Sequence, residues 1–288
     1  MKIHFIQKFI DLLRRKHKSS YSNHLKELAK KILSFEKIKE QIDTIIIGSS
    51  HAQLGYRAKN NEFNLGLSFQ DLYYGYHLYN KYVSSKIKNV ILFYSVFSPG
   101  NQTIMTNFSD VASIYKIVCN IDYQDKKIAK QKKLKQMEAG FKSLYKKIKK
   151  SFDIDYEYRG NETSYITCFK PPKASQRALQ HLKNNQRNNN QTQYVKKIYD
   201  LAIKNNSKLL VVISPATKAY KDSLPSSDVL FKDLIDLIQK HNINFLNMYD
   251  TSIFDNNDFE DWDHLNIKGA EKLTQIITHE LQYISNKK

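Results

Sequence analysis

The sequence predicts an α/β domain: a mostly parallel sheet with helices on both faces. Three observations carry that expectation. Short apolar runs rich in β-branched residues recur along the chain, and segments with apolar residues at three-to-four spacing separate them. At 288 residues and 41% hydrophobic content, the chain can also bury the core of one large α/β domain or two small ones.

Residues 1–40 read as an N-terminal helical segment. Ile3, Ile6, Phe9, Ile10 and Leu13 recur at helical spacing, with Lys2, Lys8, Arg14, Arg15 and Lys16 beside them. A basic amphipathic helix of this kind either packs on its own domain, the simpler reading, or lies along an anionic membrane surface. The α/β domain is expected over 41–288. Its strands are Ile42–Gly48, Glu62–Gly66, Asn89–Val96, Lys208–Ser214 and Asn244–Tyr249, each a short apolar run, most of them closed by a glycine, serine or proline. Helical spacing marks Gln70–Lys86, Val229–His241 and Ile267–Ile284. Strand and helix in alternation imply right-handed crossovers and parallel pairing. The polar block at about 100–205 interrupts that rhythm and reads as a helical insertion, with Asn184–Gln193 as an exposed loop. The tyrosines at 73, 74, 76, 79 and 82 fall at helical spacing and read as core, and His77 among them as a packed histidine.

Charge narrows the partners. Forty-six basic residues face 28 acidic ones, a formal net charge of +18, which favours an anionic partner. Half of the excess is local, since residues 124–150 hold eleven lysines against Asp125 and Glu138. Such a stretch is either a solvated helical face or a grip on an acidic glycan or glycolipid. Nucleic acid is disfavoured because no base-reading motif accompanies the lysines. Cys119 and Cys168 belong to no Cys/His cluster, so neither a metal site nor a disulfide is expected. Nothing resembles a phosphate-cradling glycine loop, so no bound nucleotide cofactor is expected. No stretch reaches the roughly 18 apolar residues of a membrane span. The first residues, broken by Lys8 and Asp11, do not read as a signal peptide. The expectation is a cytoplasmic protein, with peripheral membrane contact as the alternative if the first helix lies on lipid rather than on its own domain.

In an open parallel sheet, ligands bind beyond the carboxyl ends of the strands. That rule gathers a short set of residues on one edge: Gly48-Ser49-Ser50-His51 after the first strand, Gly66 after the second, Ser98, Gly100 and Asn101 after the third, and 250–264 after the fifth. A serine hydroxyl needs a base to become a nucleophile, and a histidine base needs a carboxylate to fix its tautomer. The segment FEDWDHLNIKGA supplies both. Asp261 lies three residues before His264, close enough to reach back to Nδ1 and leave Nε2 for Ser50. Asp263 is the alternative carboxylate, although neighbouring side chains diverge. His51 and Ser49 are read as substrate contacts, His51 alternatively as a helix-start residue. Asn266 suits a helix N-cap. Candidate oxyanion donors are the N–H of Ser50, the N–H of Gly66, which has no side chain in the way, and the side chain of Asn101.

Gly48-Ser49-Ser50, Asn64-Leu65-Gly66 and Asp261-x-x-His264, each after an expected strand, resemble the SGNH or GDSL-type hydrolase superfamily over residues 42–98 and 207–285. The resemblance implies a flavodoxin-like, three-layer α/β/α fold. It also implies Ser50 as nucleophile, Gly66 as oxyanion donor and Asp261/His264 as relay. The family's Gly-Asp-Ser reads Gly-Ser-Ser here, and its third-block Gly-x-Asn-Asp is reduced to Gly100-Asn101. The function expected is a serine-dependent carbohydrate esterase or O-acyltransferase acting on a surface glycan or its precursor, such as capsule or lipooligosaccharide. Acetyl-CoA is the donor if it is a transferase. The alternative is a non-catalytic module that binds an anionic polymer or membrane.

Overall fold

A computed structural model of the protein describes residues 23–103, 109–125, 132–162, 173–186 and 190–286. Its helices are α1 (residues 23–38), α2 (Ser50–Gly55), α3 (Leu72–Tyr82), α4 (Ser109–Cys119), α5 (Lys132–Ser151) and α6 (Ala174–Asn185). There follow α7 (Gln193–Lys204), α8 (Lys218–Lys221), α9 (Ser227–Leu230), α10 (Lys232–His241) and α11 (Ile267–Asn286). The strands are β1 (Thr44–Ile47), β2 (Glu62–Asn64), β3 (Asn89–Tyr94), β4 (Lys208–Ile213) and β5 (Asn244–Asn247). The expected amphipathic helix around Ile3–Leu13, the lysines at 126, 127 and 130, and Cys168 lie outside the described residues.

The described chain divides into two compact units. One takes in residues 23–33, 109–125 and 132–154; the other holds 34–103, 155–162, 173–186 and 190–286. In the first unit α4 packs with α5 and buries Val111, Ile114 and Tyr115, with Tyr123 from the turn after it. The Tyr123 hydroxyl bonds Ser113 and Glu138, tying α4 and α5 together. Cys119 is buried. The other side of α5 is solvated: Lys135, Lys142, Lys146, Lys147, Lys149 and Lys150 are exposed.

The second unit contains a five-stranded sheet in the order β2-β1-β3-β4-β5, every neighbouring pair parallel. The expected strands are all present, each beginning within two residues of its expected start. Alternation decides which helices each strand residue meets, because successive side chains point to opposite faces. Ile46, Ile91, Phe93, Leu210 and Val212 join Ala52 of α2 and Ala270, Leu273 and Ile277 of α11 in one core cluster. The opposite face, with Ile45, Ile47, Val90 and Leu92, carries α3 and α7. Burial on both faces explains why the runs read as continuously apolar. Tyr73, Tyr74, Tyr79 and Tyr82 are buried, as their spacing on α3 suggested.

Two segments depart from the sequence reading. The helix expected from Val229 to His241 breaks at Phe231, which separates α9 from α10. The Asn-rich stretch is not an exposed loop throughout. Asn184 and Asn185 close α6, and Asn185 Nδ2 donates to the Val96 carbonyl at 2.7 Å. Gln191 and Thr192 are buried, with Gln191 N bonded to Pro99 O and the Thr192 and Tyr94 hydroxyls 2.9 Å apart. Polar residues can be interior where their hydrogen bonds are met by fixed partners. The helix that follows, α7, buries Val195, Ile198 and Ala202 and forms the crossover into β4.

Candidate active site

β1 and β3 are neighbours, yet the chain leaves β1 to build β2 on its other side. The topological switch point therefore lies just beyond the end of β1. Gly48 makes the exit from the strand. Its φ of +140° is open to glycine, and a Cβ there would stand 2.9 Å from Phe93 Cβ on β3. The turn is held by Gly48 N donating to Gln70 Oε1 and by Leu67 N donating to the Gly48 carbonyl. Ser49 then caps α2, accepting from His51 N, and Ser50 is the first helical residue.

Asn64 braces this helix from the end of β2. Its Nδ2 donates to the carbonyls of Ala52 (2.8 Å) and Tyr56 (3.0 Å), and its Oδ1 accepts from Gly66 N at 2.9 Å. Gly66 must be small, because a Cβ would lie 2.6 Å from Ala52 Cβ. In this structure its N–H is thus committed to Asn64. The Ser50 N–H and the buried Asn101 carboxamide have no hydrogen-bond partner among the described residues.

The segment after β5 brings the remaining groups. Asp261 Oδ1 accepts from the backbone N–H of Asp263 (3.0 Å) and of His264 (2.9 Å), closing a tight turn. Thr217 pins the turn from outside through its N–H and hydroxyl, both bonded to Trp262 O. Asn266 caps α11, as its position suggested, accepting from Gly269 N. Within this frame His264 Nδ1 stands 2.9 Å from Asp261 Oδ2 and 3.1 Å from Oδ1, while its Nε2 stands 2.8 Å from Ser50 Oγ. A carboxylate only accepts, so Nδ1 carries the proton and Nε2 offers its lone pair to the Ser50 hydroxyl. His264 is 1% exposed and Ser50 9%. The structure thus brings Ser50, His264 and Asp261 into one hydrogen-bonded line.

Asp263 points elsewhere. Its Oδ1 accepts from Arg177 Nε of α6 at 3.1 Å. His51 Nε2 lies 3.1 Å from its Oδ2, close but poorly aligned for a hydrogen bond. His181, also from α6, has its Nδ1 3.7 Å from the same oxygen and 2.6 Å from the Tyr220 hydroxyl. Burial would raise the Asp263 carboxyl, but its surroundings, the Arg177 guanidinium foremost, outweigh burial and hold it well below the usual carboxylate range. Burial is the largest influence on His51 and His181 and lowers both, so both are neutral. His51 is therefore an interior residue, its ring stacked on that of His264 with centroids 4.9 Å apart. Neither Arg177 nor His181 is marked by any pattern in the sequence; only the fold carries α6 to this edge.

His51, Asp263 and His264 could together offer three atoms to a metal ion. Both His264 nitrogens are already engaged by Ser50 and Asp261, so His264 has no ring nitrogen to spare for a ligand set. Beside Asp263 is a small cavity of about 10 Å³. Ser95, Ser214 and Tyr249 line it with hydroxyls that have no partner among the described residues. It has room for about one water.

No protein-family model matches the sequence, and no curated protein matches it. Among solved structures, an inferred acylhydrolase from Bacteroides fragilis is similar with a TM-score of 0.41 at 11% identity, covering 84% of this chain and 86% of the other. An inferred lipolytic protein of the G-D-S-L family from Desulfitobacterium hafniense is similar with a TM-score of 0.39 at 10% identity, covering 83% and 99%. Likeness at this level carries no weight for the chemistry. Among the described residues no helix is long and apolar enough to cross a membrane.

Proposed function

We propose that the protein is a serine-dependent acyl-ester enzyme, an esterase or O-acyltransferase acting on a glycan or glycolipid. One observation supports this above all: Ser50 Oγ, His264 and Asp261 form a continuous line with links of 2.8 and 2.9 Å, built from segments 214 residues apart. Ser50 Oγ attacks the acyl carbonyl as its proton passes to His264 Nε2, and the imidazolium is stabilised by Asp261. The tetrahedral oxyanion is met by the Ser50 N–H, with the Asn101 carboxamide as a second donor. Collapse expels the alcohol or thiol, which leaves with the proton from Nε2, and the acyl group remains on Ser50. Water or a sugar hydroxyl then gives its proton to Nε2, attacks the acyl-enzyme and frees Ser50. Water makes the protein an esterase. A sugar hydroxyl makes it a transferase, with acetyl-CoA as a donor of suitable chemistry.

Labelling with a serine-reactive fluorophosphonate, mapped by mass spectrometry, tests this reading. The adduct is expected on Ser50, and Ser50→Ala is expected to abolish p-nitrophenyl acetate hydrolysis with little change in Tm. Equal turnover by wild type and Ser50→Ala would end the nucleophile assignment.

The exposed lysines of α5 support a second reading, a grip on an anionic polymer or membrane surface. Salt-dependent retention on an acidic polysaccharide, lost when the lysines between 126 and 150 become glutamine, is its expected signature. Unchanged retention would leave α5 as a solvated face.

A further inference from the structure

Two lines of serine, histidine and aspartate run side by side at this edge. In the first, Ser50, His264 and Asp261 are linked at 2.8 and 2.9 Å. In the second, Ser49 Oγ lies 3.3 Å from His51 Nδ1, and His51 Nε2 lies 3.1 Å from Asp263 Oδ2. The lines are offset by one residue at the serine and two at the carboxylate, and their imidazoles stack. The second line is no second nucleophile. Its links are longer, and Ser49 Oγ is held as the cap of α2. Unlike the first, it ends on a guanidinium, Arg177 Nε at 3.1 Å.

We propose that Asp263, clamped by Arg177 and facing His51, is a positioning residue for the Ser50–His264 pair. In this role it holds the His51 ring as a wall for His264 and sets a second fixed anion beside the imidazole that must become a cation. This rests on the triad reading above.

The groups around His264 decide what Asp263 can do. From α2 come Ser50 and His51; from its own turn, Asp261 and Asp263; from α6, Arg177 and His181; and from α8, Tyr220. His51 and His181 are neutral, so the fixed charges are two carboxylates and one guanidinium. Asp261 is spent on Nδ1 and two backbone N–H groups. Asp263 bonds no atom of His264 and acts through space and through His51. Its ionised state is secured by Arg177, which makes α6 part of the apparatus that tunes the base.

The test follows the acid limb of kcat/KM for p-nitrophenyl acetate, which reports protonation of the free enzyme's base. Asp263→Asn removes an anion near the imidazolium and makes it harder to form. The limb is expected to move to lower pH by about half a unit, less than for a directly paired charge because Asp263 bonds no atom of His264. A full unit below the wild-type limb, activity relative to each enzyme's own plateau would then rise about two- to threefold. Loosening of the His51 wall is expected to lower kcat about tenfold with KM little changed, in line with the cost of misplaced groups. Arg177→Gln removes the cation that keeps Asp263 ionised, and is therefore expected to move the limb the same way as Asp263→Asn, by a smaller amount. If Asp263→Asn does not fold, Arg177→Gln decides alone. Limbs fixed at the wild-type pH, while Ser50 still takes the fluorophosphonate, would overturn the proposal and leave the triad standing. Failure of wild-type Ser50 to label would remove the triad itself.

Discussion

Replacing Asp261 with asparagine probes the site at its most exacting point. The carboxylate makes two kinds of contact: to the imidazole, with Oδ2 2.9 Å and Oδ1 3.1 Å from His264 Nδ1, and to the backbone, with Oδ1 accepting from the N–H groups of Asp263 and His264 at 3.0 and 2.9 Å. A carboxamide keeps Oδ1 on the two backbone donors, so the turn is preserved. Its NH2 must then face Nδ1, and a donor there requires a lone pair on that nitrogen. The imidazole answers by moving its proton to Nε2, which now presents N–H to Ser50 Oγ instead of accepting from it. The hydroxyl loses its base while every atom stays close to its place.

The expected loss is large in rate and small in stability. The same tautomer fault in other serine triads lowers kcat about 10⁴-fold, or about 5.5 kcal/mol of barrier. Two charge-assisted backbone bonds become neutral ones, which costs about 1 kcal/mol of folding stability. Initial rates on p-nitrophenyl acetate and a thermal melt on the same preparation check both figures. A kcat within tenfold of wild type would refute the tautomer argument, and a rate lost only in step with Tm would reduce Asp261 to a structural brace. Asp263→Asn is the control. A greater loss there than at Asp261 would invert the assignment of the two carboxylates.

Three further outcomes follow from the scaffold. Asn64→Ala leaves the carbonyls of Ala52 and Tyr56 and the N–H of Gly66 unpaired, so urea unfolding should show a loss of about 2–4 kcal/mol; a loss below 1 would mean that α2 is braced elsewhere. Gly48→Ala places a Cβ against Phe93 at a φ of +140°, and is expected to cost about 2 kcal/mol or more and lower the soluble yield. The third concerns pH. His51 and His181 are depressed in the folded state, so stability is complete above the unfolded imidazole value near 6.5 and falls as pH drops below it, by up to about 1.4 kcal/mol per pH unit for each. Asp71, pushed up to about 6 by burial, works in the opposite sense between about pH 4 and 6. The clean readout is therefore the difference between wild type and His181→Gln, whose stability should fall less steeply between pH 6.5 and 5; identical slopes would show that His181 titrates normally.

What the sequence made legible was what depends on local pattern. Strands buried on both faces show as unbroken apolar runs, so β1 to β5 were visible; their ends were less so, because Ile42 is taken by a 3₁₀ turn through its bond to Lys39 O. The spacing of Asp261 and His264 was legible because it is one turn of chain. Long-range partners leave no trace in either period. Nothing at Arg177 or His181 distinguishes them from ordinary positions on a polar helix, yet both are carried to Asp263 across more than eighty residues. Gln191 and Thr192 fail as an exposed loop for the same reason, since their burial depends on Pro99 and Tyr94.

Two aspartates separated only by Trp262 come to serve opposite ends of the site, and the turn explains why. Asp261 folds its carboxylate back over the turn, where two backbone N–H groups and Nδ1 converge on it. That return path exists because residues 261 and 264 face the same side of a single turn. Asp263 stands next to His264, and adjacent side chains on such a chain diverge, so it is sent away from the imidazole it neighbours. A buried carboxylate sent that way must find a cation or stay protonated. Arg177 supplies the cation from α6. Near-identical chemistry at two near-identical positions thus resolves into one carboxylate that fixes a proton on His264 and one that needs the polar block between β3 and β4 to remain charged. A chain with α6 deleted would, on this account, lose the ionised state of Asp263 before it lost the bond between Asp261 and His264.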